Sequence, residues 1–334
     1  PGAQDGLIYQ PANADGLYRG PINLRDAMAI GLLPPATQVA NARNAGINGI
    51  LRRTANTLGV NSLTEGVYNL SLLERGGLVS VLDMTYVYSV FASMGDYNGV
   101  IVPPDGPGLR NHDPVAVRQI EDANGNLLWA YDEDTIAFSR ASGFLQPQVA
   151  YITNDILSDT IARESALGQG NVLETDRPTG VVNGMTSDGV DNWTIGYTPQ
   201  MVVGVRLGRS GSGGMTLSGF AEEGAAVVWR ALLEYAHIRD GLPVQDWERP
   251  NDIVDVAVCE RSGMGATQVC PRYTEVFLAG MEQLLETDDR WQIVQINAQT
   301  RQRATPNTDP ALVADELYFI PPPEAEEWWR ANGF

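Results

Sequence analysis

The sequence predicts an α+β fold, and three observations point to it. Apolar residues recur at helical spacing in several stretches, the first marked by Leu24, Ala27, Met28 and Leu32. Two runs of strand-forming residues, 193–197 and 201–207, flank Thr198-Pro199-Gln200 as the arms of a tight antiparallel hairpin. Helices gathered around a hairpin-built sheet, rather than alternating with parallel strands, are the α+β pattern.

The elements follow in order. The first twenty residues are rich in Gly, Pro, Asn and Asp and read as loop. A helix from Asn23 is expected to stop at Pro34-Pro35, since proline lacks the N–H that continues a helix. Helices over 36–45 and 47–58 should end at Gly46 and Gly59. The next helix, Val81 to Met94, sets Leu82, Tyr86, Ser89 and Val90 on one face. Proline and glycine across 102–108 mark a surface loop, and 115–131 reads as a hairpin about the turn 122–126. Gln148 to Ile161 is helical, and Glu222 to Ala236 is an amphipathic helix turning Ala226, Trp229, Leu233 and Ala236 inward. Beyond Asp240, prolines at 243, 250, 271, 306, 310 and 321–323 break up short strand-like segments such as 252–258 and 291–296. The expected organisation is a first domain over 1–245 and a small β-rich module over 250–334.

Composition narrows the function. The chain has 334 residues and a formal net charge of −19, and all twenty-two of its basic residues are arginine. An acidic surface is a poor match for phosphate backbones or anionic membranes. Without lysine there is no Schiff base, no Walker lysine and no lysine general base. His112 and His237 lie far apart with no ligand spacing around them, so neither a metal nor another cofactor is expected. No run of about eighteen apolar residues is present to span a membrane.

Several segments resemble one family in order along the chain. Tyr18-Arg19-Gly20-Pro21-Ile22-Asn23-Leu24-Arg25-Asp26-Ala27 is similar to the lead-in of the first active-site helix of class A penicillin-binding proteins. Asp191-Asn192-Trp193-Thr194-Ile195-Gly196-Tyr197-Thr198-Pro199 resembles the hairpin after their Lys-Thr-Gly strand. Val81 to Ala92, Arg118 to Asn126, Asp155 to Asp159 and Gly224 to Trp229 are similar as well, and 258–271 resembles a module found after some such domains. The resemblance implies a penicillin-binding-protein/β-lactamase-like transpeptidase fold, an antiparallel sheet covered by helices, and serine-type D,D-transpeptidase chemistry. That chemistry uses a Ser-x-x-Lys pair, a Ser-x-Asn element and Lys-Thr-Gly.

Carried over by position, the Ser-x-Asn element falls on Gly31 and Leu33, and Lys-Thr-Gly falls on Val182, Asn183 and Gly184. Ser-x-x-Lys lies, in the family, several tens of residues before the Ser-x-Asn element, which places it upstream of Pro1; within these 334 residues there is no lysine to form it. A glycine has no hydroxyl, and a valine cannot pair with a carboxylate; a ligand anion desolvated there would go unpaired. The expectation is a degenerate site with no catalytic residue, in which Gly184, Thr186 and Ser187 are the residual ligand-binding candidates. Ordinary strand-edge polarity is the competing reading of Thr186 and Ser187; Asp188 and Asp191, arguable as paired acids, fit better as turn residues opening the Trp193 strand. His112 is expected on an exposed loop and His237 at a helix C-terminus.

The resemblance also implies a location outside the cytoplasm, with membrane anchorage through an upstream segment. In that setting Cys259 and Cys270 are expected to form a disulfide. Trp328-Trp329 either packs on its own module or anchors a partner. The functional expectation is an extracytoplasmic structural or protein-interaction component, its partners other cell-surface or membrane-complex proteins and, as a further candidate, peptidoglycan. The alternative is the C-terminal part of a bifunctional glycosyltransferase/transpeptidase that builds peptidoglycan.

Overall fold

The computed structural model describes residues 2–4, 7–9, 11–42, 54–63, 70, 72–75, 77–102, 110–132, 138–141, 145–186, 188–208 and 224–333. They form two compact units: 1–17 with 27–250, and 18–26 with 251–334.

In the first unit, strands β1 (Gly2–Gln4) and β2 (Leu7–Tyr9) pair antiparallel where a loop was expected. The intervening sequence Asp5-Gly6 is a dipeptide that two-residue hairpins favour, which is the overlooked signal. Helix α1 (Leu24–Ile30) ends at Gly31, before the prolines. Gly31 takes φ +77°, its N–H donates to Met28 O, and Leu32 N–H donates to Ala27 O. This is a Schellman ending, which favours glycine because an L side chain is strained at positive φ. Helix α2 (Leu33–Ala42) then carries Pro34 and Pro35 in its first turn. The prolines start a helix rather than stop one, since first-turn N–H groups have no intrahelical acceptor to lose. The remainder of the expected 36–45 helix, most of 47–58 before residue 54, and the loop core 103–108 lie outside the described residues.

A short helix α3 (Leu72–Arg75) precedes α4 (Val81–Ala92), whose Ser80 cap accepts from Asp83 N–H. Leu82 is exposed on α4 and Asp83 buried, so the inward face is rotated from the apolar pattern. Strands β3 (Tyr97–Ile101), β4 (His112–Asp113) and β7 (Phe138–Ala141) make one sheet, and β5 (Gln119–Glu121) with β6 (Leu127–Ala130) makes the expected hairpin. His112 is buried rather than exposed, its ring 6.1 Å from that of Tyr97. The helix expected over 148–161 is two, α5 (Pro147–Ser158) and α6 (Thr160–Leu167), divided at Asp159, whose carboxylate caps the second through Ala162 N–H.

The sheet that positions the site has the order β10-β9-β8, all antiparallel: β8 (Gly180–Met185), β9 (Asp191–Thr198) and β10 (Met201–Gly208). Helix α7 (Ala225–Arg239) buries Ala225, Ala226, Trp229 and Leu233 with Leu173, Val181 and Val205. A Cβ on Gly196 would overlap the Trp229 ring, so glycine sets how closely helix and sheet approach. His237 ties the end of α7 to the hairpin: its Nδ1 sits 2.9 Å from Leu233 O and its Nε2 3.1 Å from Thr198 Oγ1. The carbonyl can only accept, so Nδ1 carries the hydrogen and donates to it. In the neutral ring Nε2 is then the acceptor for the Thr198 hydroxyl.

The sheet's other face meets α4. A Cβ on Gly204 would overlap Thr85 Oγ1, and the Tyr88 and Tyr197 rings lie 5.8 Å apart. Tyr197 is fully buried and donates to Asn154 Oδ1 at 2.8 Å. Trp247 joins the same cluster and donates to Ala92 O.

In the second unit β11 (Ile253–Cys259) pairs β12 (Arg272–Leu278), and β13 (Trp291–Asn297) pairs β14 (Val313–Phe319). Helix α8 (Glu326–Ala331) follows. Residues 18–26 group with this unit. Arg25 pairs with Glu275, and the Trp328 ring occupies the space a side chain on Gly20 would need. Cys259 and Cys270 are joined in a disulfide. Trp329 packs against Phe319 at 5.4 Å with Arg261 over its ring, so the tryptophan pair packs on its own module.

Candidate functional site

Strand β8 is an edge of its sheet, and alternation decides which of its residues share a face. Val182 stands opposite Ile195, which stands opposite Gly204; Gly184 lies in the next such row, with Trp193 and Arg206. These rows belong to the face that α4 crosses. Between them and α4 lies a cleft of about 680 Å³. Its far wall comes from residues 77–80 and from Met84 and Tyr88 of α4. The size lies within the range of small-ligand sites.

The lining explains what the cleft can do. Val182 contributes methyls and packs partly against the Tyr197–Trp247 cluster. Among the described residues beyond its chain neighbours, no atom lies within 4 Å of where a Gly184 side chain would begin, so the strand backbone is open to an approaching ligand there. Among the described lining residues Arg206 is the one cation, and it is ion-paired with Asp191 and lies over the Trp193 ring at 5.8 Å. Burial pushes the Tyr88 phenol up to about 12, so it is a neutral hydroxyl at physiological pH.

The remaining sequence candidates divide. Asn183 lines the cleft beside Val182. Thr186 lines it too, but its hydroxyl donates to Asp188 Oδ1 at 2.6 Å and accepts from Asp191 N–H at 3.0 Å. That hydroxyl is committed to the turn that opens β9. Ser187 lies outside the described residues. Gly31 and Leu33 are not among the residues lining the cleft. Gly31 caps α1, and Leu33 N–H donates to Asn13 Oδ1 at 3.2 Å. Arg206 and Tyr88 were missed by sequence reasoning. The register of β9 against β10 carries the signal for Arg206, because it stands opposite Trp193.

No family model matches the chain. Penicillin-binding protein 1A of Clostridium botulinum strain Hall is 25% identical over 326 residues, covering 94% of this chain and 35% of that protein. Penicillin-binding protein 1A of Neisseria meningitidis serogroup A is 26% identical over 232 residues, covering 70% of this chain and 26% of that one. The chain thus spans about a third or less of the length of these relatives. Among solved structures, penicillin-binding protein 1A of Haemophilus influenzae superposes with a TM-score of 0.61 at 17% identity, over 84% of this chain and 43% of its own. The expected α+β fold, a penicillin-binding-protein transpeptidase fold, is therefore the fold of the chain, and its sequence is similar to part of penicillin-binding protein 1A.

Proposed function

We propose that this class A penicillin-binding-protein-like domain acts outside the cytoplasm as a structural or protein-interaction component and carries out no acyl transfer in its cleft. The observation that carries the reading is Val182. A cation is needed where the resemblance puts the carboxylate-binding lysine, and a valine stands on that strand with the cleft's one described cation already paired to Asp191. Acyl transfer also needs a nucleophile with a base to take its proton. The described hydroxyls in the lining do not supply that pair: Thr186 is held in a turn, Ser80 caps α4 by accepting from Asp83 N–H, and Tyr88 is kept protonated by burial. The disulfide supports a location in an oxidising compartment. Partners of this kind are other cell-surface proteins, with peptidoglycan strands as a further candidate.

The test is labelling of the full-length protein with a fluorescent penicillin, followed by denaturing electrophoresis. No covalent band is expected; a band that competes with unlabelled penicillin overturns the reading. A second reading, part of a bifunctional peptidoglycan synthase, is favoured by one observation. The alignment runs along 94% of this chain but only 35% of a penicillin-binding protein 1A. Polymerisation of a lipid-linked disaccharide by the full-length protein would support it.

A further inference from the structure

Strand β8 lines the cleft differently from its neighbour. From β9 the cleft takes Asp191, Trp193 and Ile195, every second residue, as a cavity lying over one face of a sheet must. From β8 and the residue after it the cleft takes 182, 183, 184, 185 and 186 without a gap. Successive side chains of a strand point to opposite faces, so an unbroken run means that the cavity continues round the outer edge of β8. That strand has β9 on one side and, among the described residues, no further strand on the other. A sheet edge offers main-chain N–H and C=O groups to an incoming extended chain.

The lining narrows what that chain can carry. Arg206 and Asp191 are the only charged residues among the described lining, and they are paired with each other. A ligand carboxylate would lose its water here without a cation to meet it. Across from Val182 and Ile195 the wall is apolar, with Leu78, Val79 and Met84. Leu78 is 94% exposed, an apolar side chain with little of its own chain to cover it.

We propose that the cleft takes an extended internal segment of a partner protein as an added strand on β8, uncharged and with every second side chain apolar and turned toward Leu78 and Met84. The inference rests on the reading that the cleft carries out no acyl transfer, and it names the chemistry of the partner. Main-chain pairing supplies affinity, and alternate side chains against the wall supply selectivity. An internal segment brings no terminal carboxylate to Val182. Residues 182–186 present an edge of about 17 Å, enough for about five residues of strand. Gly184 stands at the middle of that run, where its missing side chain lets the added strand come close.

The probe is a library of random heptapeptides displayed between glycine spacers, so that no peptide end is a chain terminus, selected on the full chain. The selected peptide, acetylated, amidated and labelled with fluorescein, is then titrated by anisotropy. Uncharged sequences with apolar residues at alternate positions are expected. N-methylation at alternate peptide bonds should weaken binding about tenfold or more, and at the intervening bonds leave it unchanged. Gly184 does not take a positive φ, so Gly184→Val keeps the strand and should weaken binding about tenfold by holding the peptide away. Leu78→Glu, at an exposed position of the wall, should do the same, whereas Ile161→Glu on α6 should have no effect. Selection of no peptide, a methylation pattern without alternation, indifference to both cleft variants, or tighter binding of the same peptide with a free C-terminal carboxylate would each overturn the inference. Its failure is separate from that of the reading beneath it: a covalent penicillin band refutes the absence of acyl transfer whatever the peptides do, and no band together with no selected peptide refutes the added strand alone.

Discussion

Arg110 NH1 lies 2.6 Å from Asp83 Oδ1, an ion pair between residues twenty-seven apart in sequence with both side chains buried. Arg110 also bonds Asp113 through Nε and lies over the Tyr86 ring at 4.7 Å. Asp83 accepts a further bond from Ser62 N–H. The pair fastens α4, which forms a wall of the cleft, to the loop and strand around residue 110.

Acid should loosen this attachment. Burial alone would raise the Asp83 carboxyl, but bonds from Ser62 and Arg110 outweigh it and hold the group below its ordinary value. A carboxyl lowered in the folded state contributes stability above its unfolded pKa and loses it as pH falls through the folded one. The urea midpoint should therefore drop more steeply below about pH 4 in the native chain than in Asp83→Asn. At neutral pH, Arg110→Met leaves Asp83 charged, buried and unpaired, and should cost roughly 3–5 kcal/mol. Parallel pH profiles for the native chain and Asp83→Asn would contradict the assignment.

A second buried arginine should behave differently. Arg163 is 1% exposed, donates to Leu157 O at 2.6 Å, and has an Nε with no hydrogen-bond partner among the described residues. Burial pushes it down, against weaker attraction from Asp159 and Glu174. Removing it strands no counter-charge in direct contact. Arg163→Met is expected to change stability by about 1 kcal/mol or less in either direction, far from the loss at Arg110. Denaturant midpoints of the two variants, measured together, check the contrast.

These two arginines also mark where sequence reading stops. The hairpin β9–β10 was legible because its alternation and its Thr198-Pro199-Gln200 turn are local signals. The inward face of α4 was not, because a buried aspartate looks like a surface residue until its arginine partner is located. Arg25 and Glu275, 250 positions apart, pair for reasons no local pattern carries, and residues 18–26 group with 251–334. At the cleft, the β8 residues were reached only through the resemblance, which puts Val182, Asn183 and Gly184 a fixed distance before Trp193. The wall opposite could not be reached that way, since residues 77–80 gain their position only through packing.

Reduction should affect the two units unequally. The Cys259–Cys270 bridge closes a loop with a sequence separation of 11. Loop-closure entropy of that size corresponds to about 3 kcal/mol. Both cysteines lie in the second unit, so Cys259→Ser with Cys270→Ser should lower the unfolding temperature of that unit. The α7–sheet core around Trp229 should melt as before. Calorimetry with and without reductant reads this directly, and an unchanged thermogram would remove the bridge from the stability of the module.

Gly31 separates a structural role from a vestigial one. If its only meaning were a lost catalytic hydroxyl, Gly31→Ser would be silent for stability, because among the described residues beyond its chain neighbours no atom lies within 4 Å of the added Cβ. The backbone argues otherwise. At φ +77° a serine is strained, and the ending of α1 through Met28 O and Ala27 O depends on that conformation. Gly31→Ser is expected to cost about 1–2 kcal/mol, and Gly31→Asn less, since asparagine tolerates the left-handed region. The ordering glycine, asparagine, serine in urea midpoints is the signature of a helix cap. Equal midpoints for all three would return Gly31 to the status of an altered motif with no load on the fold.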